Sequence, residues 1–179
     1  MAVTGHAGEE GRLHARVDVA GNGEANVVTG VAVLDHLIVL LAQHASFDIA
    51  LEVAPEDAET EVAAAGRALG EALHDSLHAA GCRGYGSAVL PADEALAHVA
   101  IEASGRPLVV SNVDLSGVGG LGTDVVARFL NELAEGAGLT LHVRLIEGYD
   151  AQHALAAIFK ALGVALSQSC RPRRRKEER

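Results

Sequence analysis

VLDHLIVLLAQHASFDIALEV (residues 33–53) and VVARFLNELAEGAGLTLHVRL (125–145) follow one pattern: an amphipathic helix, a short turn and an alternating strand. Placing His36 on Arg128 sets an offset of 92. The same offset carries Phe47 onto Leu139, Ile49 onto Leu141 and Leu51 onto Val143, so the apolar phase of the strand is kept. Each strand leads into a second helix, about 57–80 in the first copy and about 150–169 in the second. ALGEAL (68–73) and ALGVAL (161–166) recur at the same point of those helices. A repeat of this length is the signature of a duplicated supersecondary unit.

The segments ahead of each unit alternate as strands do. Leu13–Val19 and Ala25–Val28 flank AGNG, which predicts a hairpin, and Ala97–Glu102 and Leu108–Val113 flank the turn ASGRP. Tyr85–Leu90 adds a strand between the copies. The expected fold is therefore α+β, two β-β-α-β-α halves (about 10–81 and 92–169) with sheets on one side and helices on the other. Polar alternation in the strands predicts sheets covered on one face. Residues 1–170 are expected to form a single domain with an internal duplication.

Half of the residues are apolar but few are aromatic, so the core must be built from closely packed small side chains. The last nine residues, RPRRRKEER (171–179), carry six of the fourteen Lys and Arg. The remainder has twenty-two acidic against eight basic side chains, which argues against nucleic-acid binding. The tail itself is expected to be a solvated, disordered basic terminus. Cys82 and Cys170 form no CxxC motif or disulfide framework, and a cytoplasmic setting is expected. MAVTGHAGEEGR has no apolar stretch of the signal-peptide kind, and no segment is expected to span a bilayer.

Four ordered segments carry a resemblance to a known family: TGVAVLDHLIVLLAQHASFD (29–48), LPADEALAHVAIEASGRP (90–107), LTLHVRLIEGYDAQHALAAIFKALGVAL (139–166) and VDVAGNG (17–23). Together they resemble imidazoleglycerol-phosphate dehydratase over roughly residues 10–167. Members remove water from imidazole glycerol phosphate in histidine biosynthesis. They use two manganese ions that bind the substrate imidazole and make it an electron sink. The ligands come mainly from two HHxxE motifs, one on the second helix of each half, with a His beside each first helix.

At those positions the present sequence departs from the family. His36, in LDHL, is kept, but its counterpart in the second half is Arg128. The first HHxxE falls on Glu59-Thr60-Glu61-Val62-Ala63 and the second on Gln152-His153-Ala154-Leu155-Ala156. Two of eight ligand positions, His36 and His153, still match, with Glu59 as a further oxygen donor. Losing six metal donors is expected to abolish a di-metal site, since changes to groups that merely orient the ligands already cost about 10–100-fold in affinity. Among substrate positions, Arg106 in SGRP matches a family arginine near the phosphate, Glu10 falls on an N-terminal glutamate, and His44 matches a further histidine; Glu10 and His44 are the catalytic candidates. The second phosphate arginine falls on Gly84, and the family's C-terminal PSxKG segment is missing.

Other signals read as structural. His142 lies on a strand, and His74 and His78, four apart on a helix, lack an evident carboxylate partner. Asp93 and Glu94 match the family's DEA and suit a turn as readily as acid–base chemistry. GVGGLG (117–122) fits GxGxxG, but in a hairpin-rich setting without the βαβ context of a dinucleotide fold. The leading expectation is a degenerate, metal-free homologue. The alternatives are a lyase with a site rebuilt from His36, His153, Glu59 and Arg106, and with manganese, or a metal-free binder of a small phosphorylated ligand anchored by Arg106 and Arg128. The resemblance also implies a homo-oligomer, either a trimer or the family's 24-subunit shell, and a phosphorylated imidazole as ligand.

Overall fold

The computed structural model describes residues 13–113 and 123–174. In chain order the elements are β1 (His14–Asp18), β2 (Ala25–Val28), α1 (Ala32–Ala45), β3 (Asp48–Glu52), α2 (Ala58–Leu77), β4 (Tyr85–Ala92), β5 (Ala95–Glu102), β6 (Leu108–Ser111), α3 (Thr123–Ala137), β7 (Thr140–Glu147) and α4 (Ala151–Cys170). The two β-β-α-β-α units are present, with β4 as the extra strand. One sheet has the order β1-β3-β2 and the other β4-β5-β7-β6. The second sheet repeats the order of the first once β4 is set aside.

The expected hairpin between the first two strands does not form, and the turn ASGRP does not join paired strands. In each unit the third strand inserts between the first two: β3 pairs antiparallel with β1 and parallel with β2, and β7 does the same with β5 and β6. A parallel neighbour needs a crossover, and α1 or α3 supplies it. The turn sequences were read as tight links, but each has to span a strand. The first does so around Asp48, whose Oδ1 accepts N–H bonds from Asn22 (2.8 Å), Gly23 (3.1 Å) and Glu24 (2.9 Å). A Cβ at Gly21 would collide with the Asp48 side chain. The second turn closes around Thr140, the repeat partner of Asp48, whose hydroxyl donates to the Arg106 carbonyl at 3.1 Å.

The three N–H bonds, that from Glu24 foremost, hold the Asp48 carboxyl below its ordinary value of 3.8. A depressed folded pKa contributes stability above the unfolded value and loses it as the pH falls through the folded one. Asp48→Asn is therefore expected to lower the urea midpoint at pH 7, with the gap to the unmodified protein narrowing below about pH 4. A gap that stays constant down to pH 2.5 would remove the carboxylate from this account.

The first helices end alike. Ser46 adopts the left-handed conformation (φ 57°) and Gly138 its equivalent (φ 66°), and the next residues close back, Phe47 N–H to Ala42 O and Leu139 N–H to Ala134 O. The second helices cross between the halves. α2 packs on α3 and against β1, while α4 packs on α1 and covers β4 and β5. Close approach needs glycine. A Cβ at Gly70 would lie 2.5 Å from the Leu133 carbonyl oxygen, and one at Gly163 would collide with the Leu41 carbonyl. Buried apolar side chains from both halves merge into one cluster.

Two expectations need correction. By length and composition α4 could cross a membrane, which the sequence reading did not anticipate; it is mostly buried, as the core helix between α1 and the second sheet. The start of the basic tail is not loose either. Cys82 and Pro172 form an antiparallel bridge, Arg83 N–H donates to Arg171 O (2.7 Å) and Arg173 N–H to Gly81 O (2.8 Å).

Candidate functional site

The duplication creates two equivalent clefts, each between the start of a second helix and a first helix of the other half. One, of about 430 Å³, is lined by Ala32, Val33, His36 and Leu37 of α1, Asp93 of the β4–β5 turn, and Gln152, His153, Leu155 and Ala156 of α4. The other, of about 550 Å³, is lined by Glu59 of α2 and by Val125, Ala127, Arg128, Asn131 and Glu132 of α3. His36 answers to Arg128 and Gln152 to Glu59. One framework thus carries histidines on one side and an Arg with two glutamates on the other.

The first cleft is fixed from both ends. The Asp35 carboxylate accepts the N–H of fully buried Thr29 at 2.9 Å, and also its hydroxyl, which anchors the first turn of α1 beneath His36. At α4, Asp150 caps the helix by accepting N–H bonds from Gln152 (2.9 Å) and His153 (3.1 Å). Asp93 takes a left-handed conformation (φ 49°) in the two-residue turn between β4 and β5, which presents Asp93 and Glu94 to the start of α4.

His153 is held there through one ring nitrogen, with a second carboxylate near the other. Nδ1 lies 2.6 Å from Glu94 Oε2 and Nε2 lies 3.4 Å from Asp93 Oδ2. Glu94 Oε1 also accepts the Asp150 N–H at 3.0 Å. That N–H first, and then His153, bring the Glu94 carboxyl down to about 2. The Glu94 hydrogen bond raises the His153 pKa above its ordinary 6.5. The sequence placed Asp93 and Glu94 in a turn, correctly, but gave no sign of their pairing with His153, because the partners are 59 residues apart.

The remaining predicted residues do not converge on this cleft within one chain. Glu59 lines the second cleft with Arg128, and no ion pair joins the two. Beside it Thr60, the repeat equivalent of His153, is bound to Asp57, the cap of α2, through N–H (3.1 Å) and hydroxyl (2.7 Å). His44, near the end of α1, lies within 2.8 Å of Leu40 O through Nδ1, and eight residues place it about 12 Å along the helix from His36. Arg106 is exposed in the turn after β5, whereas Asp93 and Glu94 precede β5, so a strand of eight residues separates them. Arg128 lies in the second turn of α3, and the Arg106 turn meets the helix's far end through Gly105 N–H to Gly138 O (3.0 Å), so the two arginines do not form one anchor. Glu10 lies outside the described residues. Among the described residues, no three His, Cys, Asp or Glu side chains gather as a metal-binding group.

Comparison with known proteins shows what this framework is. The family model for imidazoleglycerol-phosphate dehydratase matches residues 29–166. The chain belongs to the imidazoleglycerol-phosphate dehydratase family. The dehydratase of Clostridium botulinum (strain Kyoto / Type A2) is 36% identical over 166 residues, covering 89% of this chain and 85% of that protein. The dehydratase of Lactococcus lactis subsp. cremoris is 37% identical over 174 residues, covering 90% and 85%. The crystal structure of imidazoleglycerol-phosphate dehydratase from Staphylococcus aureus superposes with a TM-score of 0.82 at 30% identity, covering 90% of this chain and 95% of that one. That from Pyrococcus furiosus, in complex with (S)-C348, gives 0.79 at 25% identity, covering 97% and 96%. The dehydratase fold is thus present over most of the chain, whose two clefts hold the side chains described above.

Proposed function

We propose that this protein is a dehydratase homologue that keeps the family scaffold without its di-manganese chemistry. One observation carries the reading: His153 is the histidine left in either HHxxE position, and no three His, Cys, Asp or Glu side chains gather as a metal-binding group among the described residues. With Glu94 on Nδ1, His153 offers Nε2 as a single nitrogen donor, far short of the set that two manganese ions need. The neighbouring positions offer Gln152, Ala156, Glu59, Thr60 and Ala63, and Arg128 brings a fixed cation to the second cleft, which repels a divalent ion. Contact between copies would not repair this set, since every copy contributes the same residues. The Glu94 carboxylate, shared between the His153 ring and the Asp150 N–H, then acts as a structural clasp between the β4–β5 turn and α4.

On this reading the protein serves as a scaffold or regulator in the cytoplasm, where two free thiols suit a reducing setting. Self-association is supported by the uncovered face of the second sheet, where Tyr85 (53% exposed), Val89 (51%) and Ile146 (52%) stand outward. Metal analysis after dialysis against manganese, with a dehydration assay on imidazole glycerol phosphate, tests the proposal. The expected result is no stoichiometric manganese, no turnover, and an assembly size by light scattering that does not change with the metal. Two tightly held manganese ions per chain with dehydration of the substrate would overturn it.

A further inference from the structure

At the end of the second sheet remote from His153 lies a cleft of about 750 Å³, lined by Arg83, Tyr85, Arg171, Pro172, Arg173 and Arg174. Four guanidinium groups gather there with no carboxylate among the lining residues, in a protein of net charge −10. The arrangement is built in. The backbone bonds between Gly81–Gly84 and Ser169–Arg173 hold the two arginine-bearing strands together, with Gly84 N–H reaching Ser169 O at 2.9 Å. The Arg83 guanidinium lies 4.4 Å from the centre of the Tyr85 ring. Its Nε is buried without a hydrogen-bond partner.

A buried donor left unpaired is costly and calls for an acceptor that arrives from outside. Planar guanidinium forks match phosphate oxygens in pairs, and a tyrosine ring beside one of them keeps its plane fixed. We propose that this cleft binds a compact anion carrying a diphosphate group. A single phosphate, at about −1.5 to −2 near neutral pH, leaves half of the four positive charges uncompensated. The volume suits a small molecule. An extended polyanion such as nucleic acid would run onto the acidic remainder of the surface. Arg106 does not line the cleft, and the site is independent of whether the His36–His153 cleft holds metal.

Calorimetric titration of the full chain with inorganic pyrophosphate, orthophosphate and a single-stranded oligonucleotide tests this. Pyrophosphate is expected to bind once per chain and about ten-fold or more tighter than orthophosphate. The double variant Arg173→Gln/Arg174→Gln is expected to lose at least about ten-fold of that affinity with unchanged thermal unfolding, and Arg83→Lys, which keeps the charge but not the planar fork, is also expected to weaken it. Arg144→Gln, an exposed arginine outside the cleft, is expected to bind as the unmodified protein does. Equal affinity for the two phosphates, indifference to the double variant, or tighter binding of the oligonucleotide would each overturn the proposal.

Discussion

Gly163→Val is expected to destabilise the protein by about 3 kcal/mol or more, at the upper end of what overpacking a core costs. The added side chain would meet the Leu41 carbonyl and, at 3.2 Å, the Ala45 backbone nitrogen. Both are main-chain atoms of α1, so no neighbouring side chain can rotate away, and the helices themselves must part. The duplication supplies an internal replicate. Gly70 meets the Leu133 oxygen at 2.5 Å and the Ala137 nitrogen at 2.8 Å, which are the atoms that Leu41 and Ala45 provide one repeat earlier. Gly70→Val should therefore cost a similar amount. Alanine sharpens the test: in an exposed helix it gains about 1 kcal/mol over glycine, so a loss at either position reports the close approach rather than helix propensity. Glu71→Ala, on the exposed side of α2, should stay within about 0.5 kcal/mol. Urea denaturation of the set decides the matter, and alanine variants as stable as the parent would refute this packing.

Phe159→Ala is expected to cost about 3–5 kcal/mol, the usual range for removing a buried aromatic ring. Phe159 of α4 and Phe129 of α3 are fully buried, with ring centroids 5.5 Å apart and planes inclined at 30°. Few aromatic residues serve this core, so little else has the volume to refill the space. The pair also ties the helix carrying Arg128 to the helix carrying His153. Phe159→Leu should cost under about 1.5 kcal/mol if the cavity is the main loss. In a double-mutant cycle with Phe129→Ala, about 0.5–1.5 kcal/mol of coupling is expected from the ring contact itself. Strict additivity would mean that the rings only fill volume.

The features legible in the sequence were those written in local periodicity. The offset of 92 aligned the buried faces of β3 and β7, and the shared ALG motifs fell at the same point of both second helices, where the structure places the crossings at Gly70 and Gly163. What escaped was non-local. AGNG and ASGRP carry the residues of ordinary turns, and nothing within them says that a strand about twenty residues or more downstream will enter between the strands they connect. Asp48, which organises the first turn, looks like one more polar residue in a strand. The same holds for the site. The loss of the HHxxE donors was readable residue by residue, but the grip of Asp93 and Glu94 on His153 depends on a β-turn meeting a helix start from another part of the chain. The arginines of the tail suggested disorder because they are charged and terminal. Their backbone partners, Gly81 and Arg83, give no hint in sequence that a strand edge is waiting for them.

The exchange of second helices between the halves bears on how the chain emerges from the ribosome. Residues up to Leu77 contain a complete unit by topology, yet the glycine-marked face of α2 has no cover until α3 is synthesised some sixty residues later, and α1 waits longer still for α4. A nascent first half therefore exposes two apolar helix faces through most of translation. Its lasting order comes only when the second half closes over it, so the ancestral single unit would have needed a second copy of itself to be stable.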